Sequence, residues 1–228
     1  MKSNHEFSSL TIALYAPEII STFLTEKFLK ESTIIPKDWQ FAEPPEIGTE
    51  ESRVIFTNGV RISAEDGVIM LSEDIIDNRA EKSMIPKVVE KWVEIWNQFN
   101  YCKISIKPNS FYTFKQENNI KPKHYISTSL LSSDGWQKFS KELPRVALSL
   151  LMTSPKGEFS ISLDDVMLQQ QNDESFKVGV FCKGDFSYEL CNIADADRQE
   201  AVLRYIRSYQ EDWNKFYQIL RQKFLHLT

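Results

Sequence analysis

The alternation of apolar and polar positions is clearest between residues 53 and 71, where three short runs rich in β-branched residues are separated by two turn sequences. These turns, Asn58-Gly59 and Asp66-Gly67, are the dipeptides that best tolerate the positive φ angles of tight hairpins. The stretch therefore predicts a three-stranded antiparallel meander.

Helical spacing of apolar residues predicts helices near residues 18–31, 84–99 and 197–224. In the second of these, Asn100 is placed to act as a C-cap. The third carries a continuous apolar stripe from Val202 to Phe224 and would be about 40 Å long as one straight helix. These long helices are expected to cover the sheet.

Alternating patterns predict further strands at residues 10–15, 103–107, 125–131, 145–153, 158–169 and 175–190, and a short helix is predicted at 134–143. Residues 1–8 are expected to be frayed. Pro108 is expected to end the strand that begins at Lys103, and Lys183–Asp185 to interrupt the last strand.

The predicted elements repeat in order, because residues 1–100 and 101–228 each follow a β-α-β-β-β-α pattern. Little residue identity accompanies this shared order, so the evidence for an internal duplication is the pattern alone. We predict an α+β fold with mostly antiparallel sheet, in which the two halves form one compact unit.

Composition limits the classes of function. The formal net charge of -5 argues against a dedicated nucleic-acid binder. No apolar run approaches the roughly 20 residues of a membrane span, and the first residues lack the apolar core of a signal peptide. Three cysteines form a sparse, odd set, which favours a reducing cytoplasm over a disulfide framework.

Catalytic motifs are lacking in the sequence: there is no phosphate-binding glycine loop, nucleophile elbow, HExxH or paired CxxC. Cys182, Cys191 and His124 match no zinc spacing. The adjacent Asp164 and Asp165 would point to opposite faces of a strand. We therefore assign no catalytic residue, no cofactor and no metal ligand, and we favour a binding or protein-interaction module over an enzyme. The alternative is a small hydrolase or transferase that uses scattered carboxylates.

Residues 103–125 are basic although the whole chain is acidic, because five lysines are opposed only by Glu117. Aromatic residues are interleaved with these lysines. Lysines neutralise phosphates and aromatic rings stack on bases, so this composition suits a weak single-stranded nucleic-acid binder. The competing interpretation is a strand and loop whose aromatics face the core. The candidate ligand-binding residues are Lys107, Phe111, Tyr112, Lys115, Lys121 and Lys123.

The aromatic stripe of the C-terminal helix suggests an interface with a protein partner or, most simply, with a second copy in a homodimer. The alternative is that one chain buries the whole helix. The candidate interface residues are Tyr205, Tyr209, Trp213, Phe216, Tyr217 and Leu220.

Overall fold

A nine-stranded antiparallel sheet organises the protein, with helices packed against it. The computed structural model describes residues 3–76, 79–114, 125–130, 146–169 and 176–225. The prediction of an α+β fold built on mostly antiparallel sheet is confirmed.

The strands of the two halves meet at the middle of the sheet. The order across the sheet is β2-β3-β4-β5-β1-β6-β9-β8-β7. In each half, three consecutive antiparallel strands follow one another, β3-β4-β5 and β7-β8-β9. The last of these three strands pairs with the first strand of its own half, β5 with β1 and β9 with β6. Apart from the short β2 at one edge, which has no counterpart among the described strands, the order is therefore symmetric about the β1–β6 pair. The bounds are β1 Ser3–Tyr15, β2 Glu46–Ile47, β3 Glu51–Ile55, β4 Arg61–Glu65, β5 Val68–Ile75, β6 Lys103–Phe114, β7 Ala147–Ser154, β8 Gly157–Gln169 and β9 Phe176–Glu189.

The turns between β3, β4 and β5 fall at the two glycine-containing sequences. Gly59 has a φ of 87° and Gly67 a φ of 85°, in the region that glycine adopts without steric cost. Asn58 Oδ1 accepts a hydrogen bond from the backbone N–H of Val60 at 3.1 Å, which closes the first turn. Local residue chemistry therefore accounts for both reversals of the chain.

The helices lie on one face of the sheet, which we call the inner face. Helix α2 contacts β1 and β5, whereas α3 and α4 contact β6. The core forms between them and includes fully buried Leu10, Ile12, Ile106 and Trp92. The helices are α1 (Glu26–Glu31), α2 (Ile85–Ile95), α3 (Asp195–Arg207) and α4 (Tyr209–Ile219), with 3₁₀ turns at Ser21–Phe23 and Ala80–Lys82 and π turns at Ile126–Leu130 and Leu220–Phe224.

The first two predicted helices are shorter than expected. The first begins only after Thr25, whose Oγ1 accepts the Phe28 N–H at 3.1 Å and so caps α1. Helix α2 ends at Ile95, because Trp96 leaves helical geometry and stacks on Phe99 with ring centroids 4.8 Å apart. The predicted C-cap at Asn100 is therefore wrong.

The long C-terminal helix is broken at Ser208, where α3 ends and α4 begins. The Ser208 hydroxyl donates to the carbonyl oxygen of Tyr205 at 3.3 Å. A serine that bonds to a preceding carbonyl competes with the helical ladder and bends a helix. The prediction of one straight helix about 40 Å long is wrong for this reason.

Proline and glycine mark strand boundaries less sharply than predicted. Strand β6 continues through Pro108, and only its ladder with β9 omits Lys107 and Pro108, while both residues stay paired with β1. Strand β9 runs through Gly184 without interruption. A Cβ at Gly184 would lie 2.9 Å from both Pro108 Cγ and Phe216 Cδ2, so the glycine permits close packing rather than a turn.

One terminal prediction and one internal prediction also change. Strand β1 begins at Ser3, because its first residues pair with the end of β6. Residues Ile126–Leu130 form a π turn instead of the predicted strand. The predicted helix at 134–143 lies outside the described residues.

Candidate functional site

A pocket of about 490 Å³ lies between the chain segment that follows α1 and the beginning of α2. We call it the lysine-rimmed pocket. Its walls combine apolar side chains with three lysines, one carboxylate and one hydroxyl. The lining residues are Ile34, Pro36, Trp39, Glu81, Lys82, Ser83, Met84, Lys87, Val88 and Lys91.

The first wall is held by a strained residue and an aromatic contact. Thr33 follows the C-cap of α1 with a φ of 59°, which is rare for a β-branched residue. The Trp39 N–H then donates to the Pro36 carbonyl at 3.1 Å. The Trp39 ring packs edge-on against Phe56 with centroids 5.0 Å apart. These contacts fix the tryptophan against the sheet.

The opposite wall is held by a buried carboxylate from β5. Glu73 Oε2 accepts hydrogen bonds from Ser83 Oγ at 2.8 Å, Met84 N at 2.8 Å and Ile85 N at 3.3 Å. A carboxylate at this place satisfies the free N–H groups that begin a helix and complements the helix dipole. Glu73 therefore sets the position of the first turn of α2 relative to the sheet.

The rim of the pocket is positively charged, although the whole chain carries -5. Among the described residues, Lys82, Lys87 and Lys91 form no ion pair. Glu81 is the one acidic residue in the lining, so three positive charges face one negative charge. The arrangement can hold an apolar group against Trp39 while the lysines neutralise negative charge beside it.

Of the ligand-binding residues predicted from sequence, the three that the structure describes, Lys107, Phe111 and Tyr112, do not line this pocket and do not share one surface. Lys107 lies on the outer face of the sheet, 3.7 Å from Asp185 and 3.2 Å from the Tyr15 hydroxyl. Burial alone would lower the pKa of Lys107, but Asp185 and Tyr15 outweigh it and raise that pKa.

The aromatic members of that predicted set are covered. Phe111 is 1% exposed and Tyr112 is 2% exposed, so neither ring is free to stack on a base. Tyr112 faces the helices, where it contacts His5 with centroids 5.2 Å apart. Lys115, Lys121 and Lys123 lie outside the described residues.

The predicted interface side chains form part of the protein's own core. Tyr209, Trp213, Phe216, Tyr217 and Leu220 are all buried, and Tyr205 is partly buried against Tyr188. Helix α4 packs on the sheet, as in the alternative in which one chain buries the helix. These five side chains are therefore not exposed to a partner in this fold.

A serine–histidine contact occurs elsewhere, at the start of β1. His5 Nε2 lies 2.6 Å from Ser8 Oγ, which also bonds to the Tyr217 hydroxyl. Ser8 is fully buried, so a substrate cannot reach its oxygen. Burial lowers the pKa of His5. The contact is a polar link between the sheet and α4 and not an exposed nucleophile.

Metal-binding geometry is not found in the described part of the chain, where no three His, Cys, Asp or Glu side chains cluster. Cys182 is buried in β9 and Cys191 is exposed after it. Within the same described ranges, no helix has both the length and the apolar character that crossing a membrane requires.

Comparison with known proteins gives no functional assignment. No family model matches the chain, and no curated protein matches it. The geometry of the site is therefore the basis for a functional proposal.

The pocket residues were not among the site residues predicted from sequence. Trp39 lies in a connection that contains several prolines, and the lysines of α2 resemble an ordinary solvated helix surface. A usable signal was the spacing of Lys87 and Lys91, which places both on one side of α2.

Proposed function

We propose that this protein is a non-enzymatic binding module whose ligand site is the lysine-rimmed pocket. The ligand combines an apolar or aromatic group with negative charge. The observation that carries this proposal is the pairing of the Trp39 wall with three lysines that form no ion pair among the described residues. A volume of about 490 Å³ lies within the usual range for ligand pockets.

The chemistry of the lining favours binding over catalysis. Lysines, one carboxylate and one hydroxyl supply its charged and polar side chains, and the remaining lining residues are apolar. The most deeply buried carboxylates, Glu73, Asp165 and Asp212, come from β5, β8 and α4 and do not line the pocket. A hydrolase or transferase that uses scattered carboxylates would need such groups to converge on a cavity.

Two broader proposals accompany this one. The symmetric strand order supports an origin of the two halves by duplication of a β-α-β-β-β-α unit. Free thiols at Cys102, Cys182 and Cys191 are compatible with residence in a reducing cytoplasm.

Binding of two dyes that share an aromatic body tests the proposed site. Anilinonaphthalene sulfonate carries a negative charge, and phenylnaphthylamine is its neutral counterpart. We expect Trp39→Leu to weaken binding of both dyes, because it removes the ring from the wall. We expect the double variant Lys87→Glu and Lys91→Glu to weaken binding of the sulfonate about tenfold while leaving the neutral dye within about twofold.

The double variant Arg221→Glu and Lys223→Glu serves as the charge-matched control, since both exposed residues lie on the C-terminal π turn and their replacement makes the same change in net charge away from the pocket. Circular dichroism checks that each variant is folded. Sulfonate binding that is the same in wild type, the Trp39 variant and the double lysine variant would refute the proposed site.

A further inference from the structure

We infer that the natural occupant of the lysine-rimmed pocket is an extended acidic segment of a partner polypeptide, in which one apolar side chain lies between two carboxylates. This inference rests on the proposed function and adds the class of ligand. It follows from the number, the spacing and the type of the charges around the pocket.

The number of charges requires a ligand with more than one anion. Lys82, Lys87 and Lys91 face Glu81 as the only acid of the lining, which leaves an excess of two positive charges. A ligand with a single carboxylate would leave one of them uncompensated, and like charges held in one rim repel each other. Two carboxylates restore local neutrality.

The spacing of the lysines suits an extended chain. Lys87 and Lys91 are four residues apart in α2, which separates them by about 6 Å along the helix axis. In an extended peptide, side chains at positions i and i+2 project to the same side and lie roughly 6.7 Å apart. Two acidic residues in such a segment can therefore each approach one lysine. Lys82, in the turn before α2, lies at the same rim.

The apolar wall provides the anchor for the residue between the two acids. In an extended segment this residue projects to the side opposite the two acids, so it faces the first wall, where Ile34, Pro36 and Trp39 offer apolar and aromatic surface. An aromatic ring buries a large apolar area, which suits recognition of one protein side chain. The lining has a single aromatic ring, a single hydroxyl on Ser83 and no side-chain amide, so it offers few groups that stack on bases or read their edges, and a peptide fits better than a nucleic acid.

The overall acidity of the chain does not oppose this binding at short range. At physiological ionic strength, charges farther apart than about 8 Å are largely screened. An acidic segment inside the pocket therefore interacts mainly with the local lysines and little with the charge of -5 spread over the chain. Lysine ammonium groups act as separate point charges, which matches carboxylates that are also separate.

Calorimetric titration of the full chain with short peptides tests the inference. The acidic probe is a capped Ser-Asp-Phe-Asp-Ser peptide, and its matched controls replace both Asp with Asn or replace Phe with Ala. We expect the acidic peptide to bind at least about tenfold more tightly than the Asn peptide, and more tightly than the Ala peptide. Decanoate, phenyl phosphate and a five-nucleotide oligouridylate represent a singly charged lipid-like acid, a compact dianion and a nucleic acid.

A charge exchange keeps the test decisive. In the double variant Lys87→Glu and Lys91→Glu, the acidic peptide should lose binding while a Ser-Lys-Phe-Lys-Ser peptide gains it. The charge-matched control, Arg221→Glu with Lys223→Glu, should leave binding of the acidic peptide unaffected. Gain of binding to the basic peptide would also show that the variant is folded.

The outcomes separate the inference from the proposed function. If decanoate, phenyl phosphate or the oligonucleotide binds as tightly as the acidic peptide, or if the Asn peptide does, the acidic-segment inference is wrong. If the sulfonate dye binds in the pocket while no peptide binds, the inference fails and the proposed function stands. If neither dye nor peptide binds the wild-type chain, both fail.

Discussion

Each half of the sheet carries a helix that follows its last hairpin strand, and in each half a buried carboxylate joins sheet and helix in a different way. In the first half, Glu73 on β5 accepts three hydrogen bonds at the start of α2. In the second half, Asp212 on α4 accepts one from the Tyr188 hydroxyl of β9 at 2.7 Å. The carboxylate is on the strand in one case and on the helix in the other.

The difference shows that the same order of strands can be covered by helices that pack on it in two different ways. Glu73 Oε2 accepts hydrogen bonds from three groups at the start of α2, and the helix start that it fixes borders the pocket. Asp212 lies on the side of α4 that faces the sheet, where the aromatic residues Trp213 and Phe216 of the same helix are also buried. Its second oxygen, Oδ2, has no hydrogen-bond partner among the described residues. In the first half the start of the helix therefore borders a pocket. In the second half the aromatic packing leaves a buried carboxylate oxygen without a described hydrogen-bond partner, which costs stability.

The largest effect is expected from truncating one buried aromatic side chain in each half of the protein. Trp92 of α2 and Phe216 of α4 are both fully buried. Replacing either with Ala should lower the free energy of unfolding by about 3–5 kcal/mol, because the lost contacts leave a void. Since the β1–β6 ladder joins the halves, each variant should still unfold in a single transition in urea, measured by circular dichroism.

Two transitions would contradict that expectation. Hydrogen exchange then identifies the half that opens first. If Trp92→Ala exposes only β1 to β5 while β6 to β9 stay protected, residues 1–100 and 101–228 are separate cooperative units and not one.

The second effect concerns Asp212, which is 4% exposed. Burial raises the pKa of its carboxyl to about 6. Because the folded state then holds the proton more tightly than the unfolded chain, this group favours folding at acidic pH. That contribution is lost as the pH rises from about 4 through about 6. Asp212→Asn should therefore stabilise the protein at pH 8 by about 2 kcal/mol, and by much less at pH 4.

The measurement is the difference in unfolding free energy between variant and wild type at several pH values, which cancels the other titrating groups. Tyr188→Phe is the opposing control, since it removes the hydrogen bond that the Tyr188 hydroxyl donates to Oδ1 and should destabilise the protein at pH 8 by about 2 kcal/mol. A difference for Asp212→Asn that does not change between pH 4 and pH 8 would contradict the assignment of this proton.

Local chemistry explains which parts of the fold could be predicted. The positive φ angles at Gly59 and Gly67 depend only on the dipeptides Asn58-Gly59 and Asp66-Gly67, so the two turns could be predicted from the sequence. The opposite orientation of Asp164 and Asp165 also follows from strand geometry, and only Asp165 is buried. Fold class and strand positions follow from such short-range patterns.

Element boundaries and the pocket depend on contacts distant in sequence. Gly184 lies inside the continuous strand β9, where its missing side chain leaves room for Phe216, and a pattern read along β9 does not contain Phe216. The pocket likewise joins Trp39 to Lys82 and Lys91, which lie more than forty residues away. Each of these residues alone resembles ordinary core or solvated surface, so their meeting could not be read from the chain.

The smallest effect concerns Thr33, whose backbone adopts the left-handed conformation next to the first wall of the pocket. That conformation costs a non-glycine residue roughly 1–2 kcal/mol, whereas glycine adopts it freely but loses more entropy on folding. Thr33→Gly should therefore stabilise the protein by only about 0.5–1 kcal/mol, measured by urea unfolding. Gly59→Ala is the reverse substitution, from glycine to a residue with a side chain, at a φ of 87°. An added Cβ there would meet no described atom within 4 Å, so the cost comes from the backbone alone and should be about 1 kcal/mol.

Dye affinity shows whether the strain at Thr33 matters to the pocket. Thr33 directly precedes Ile34, and a glycine there leaves Ile34 and Pro36 less firmly placed in the unoccupied pocket. We expect Thr33→Gly to weaken binding of the sulfonate dye about twofold even though it raises stability, since the site must then be ordered on binding. Gly59→Ala, in the turn between β3 and β4, should leave dye affinity unchanged. Tighter binding in the Thr33 variant would show that the strain opposes the site instead of shaping it.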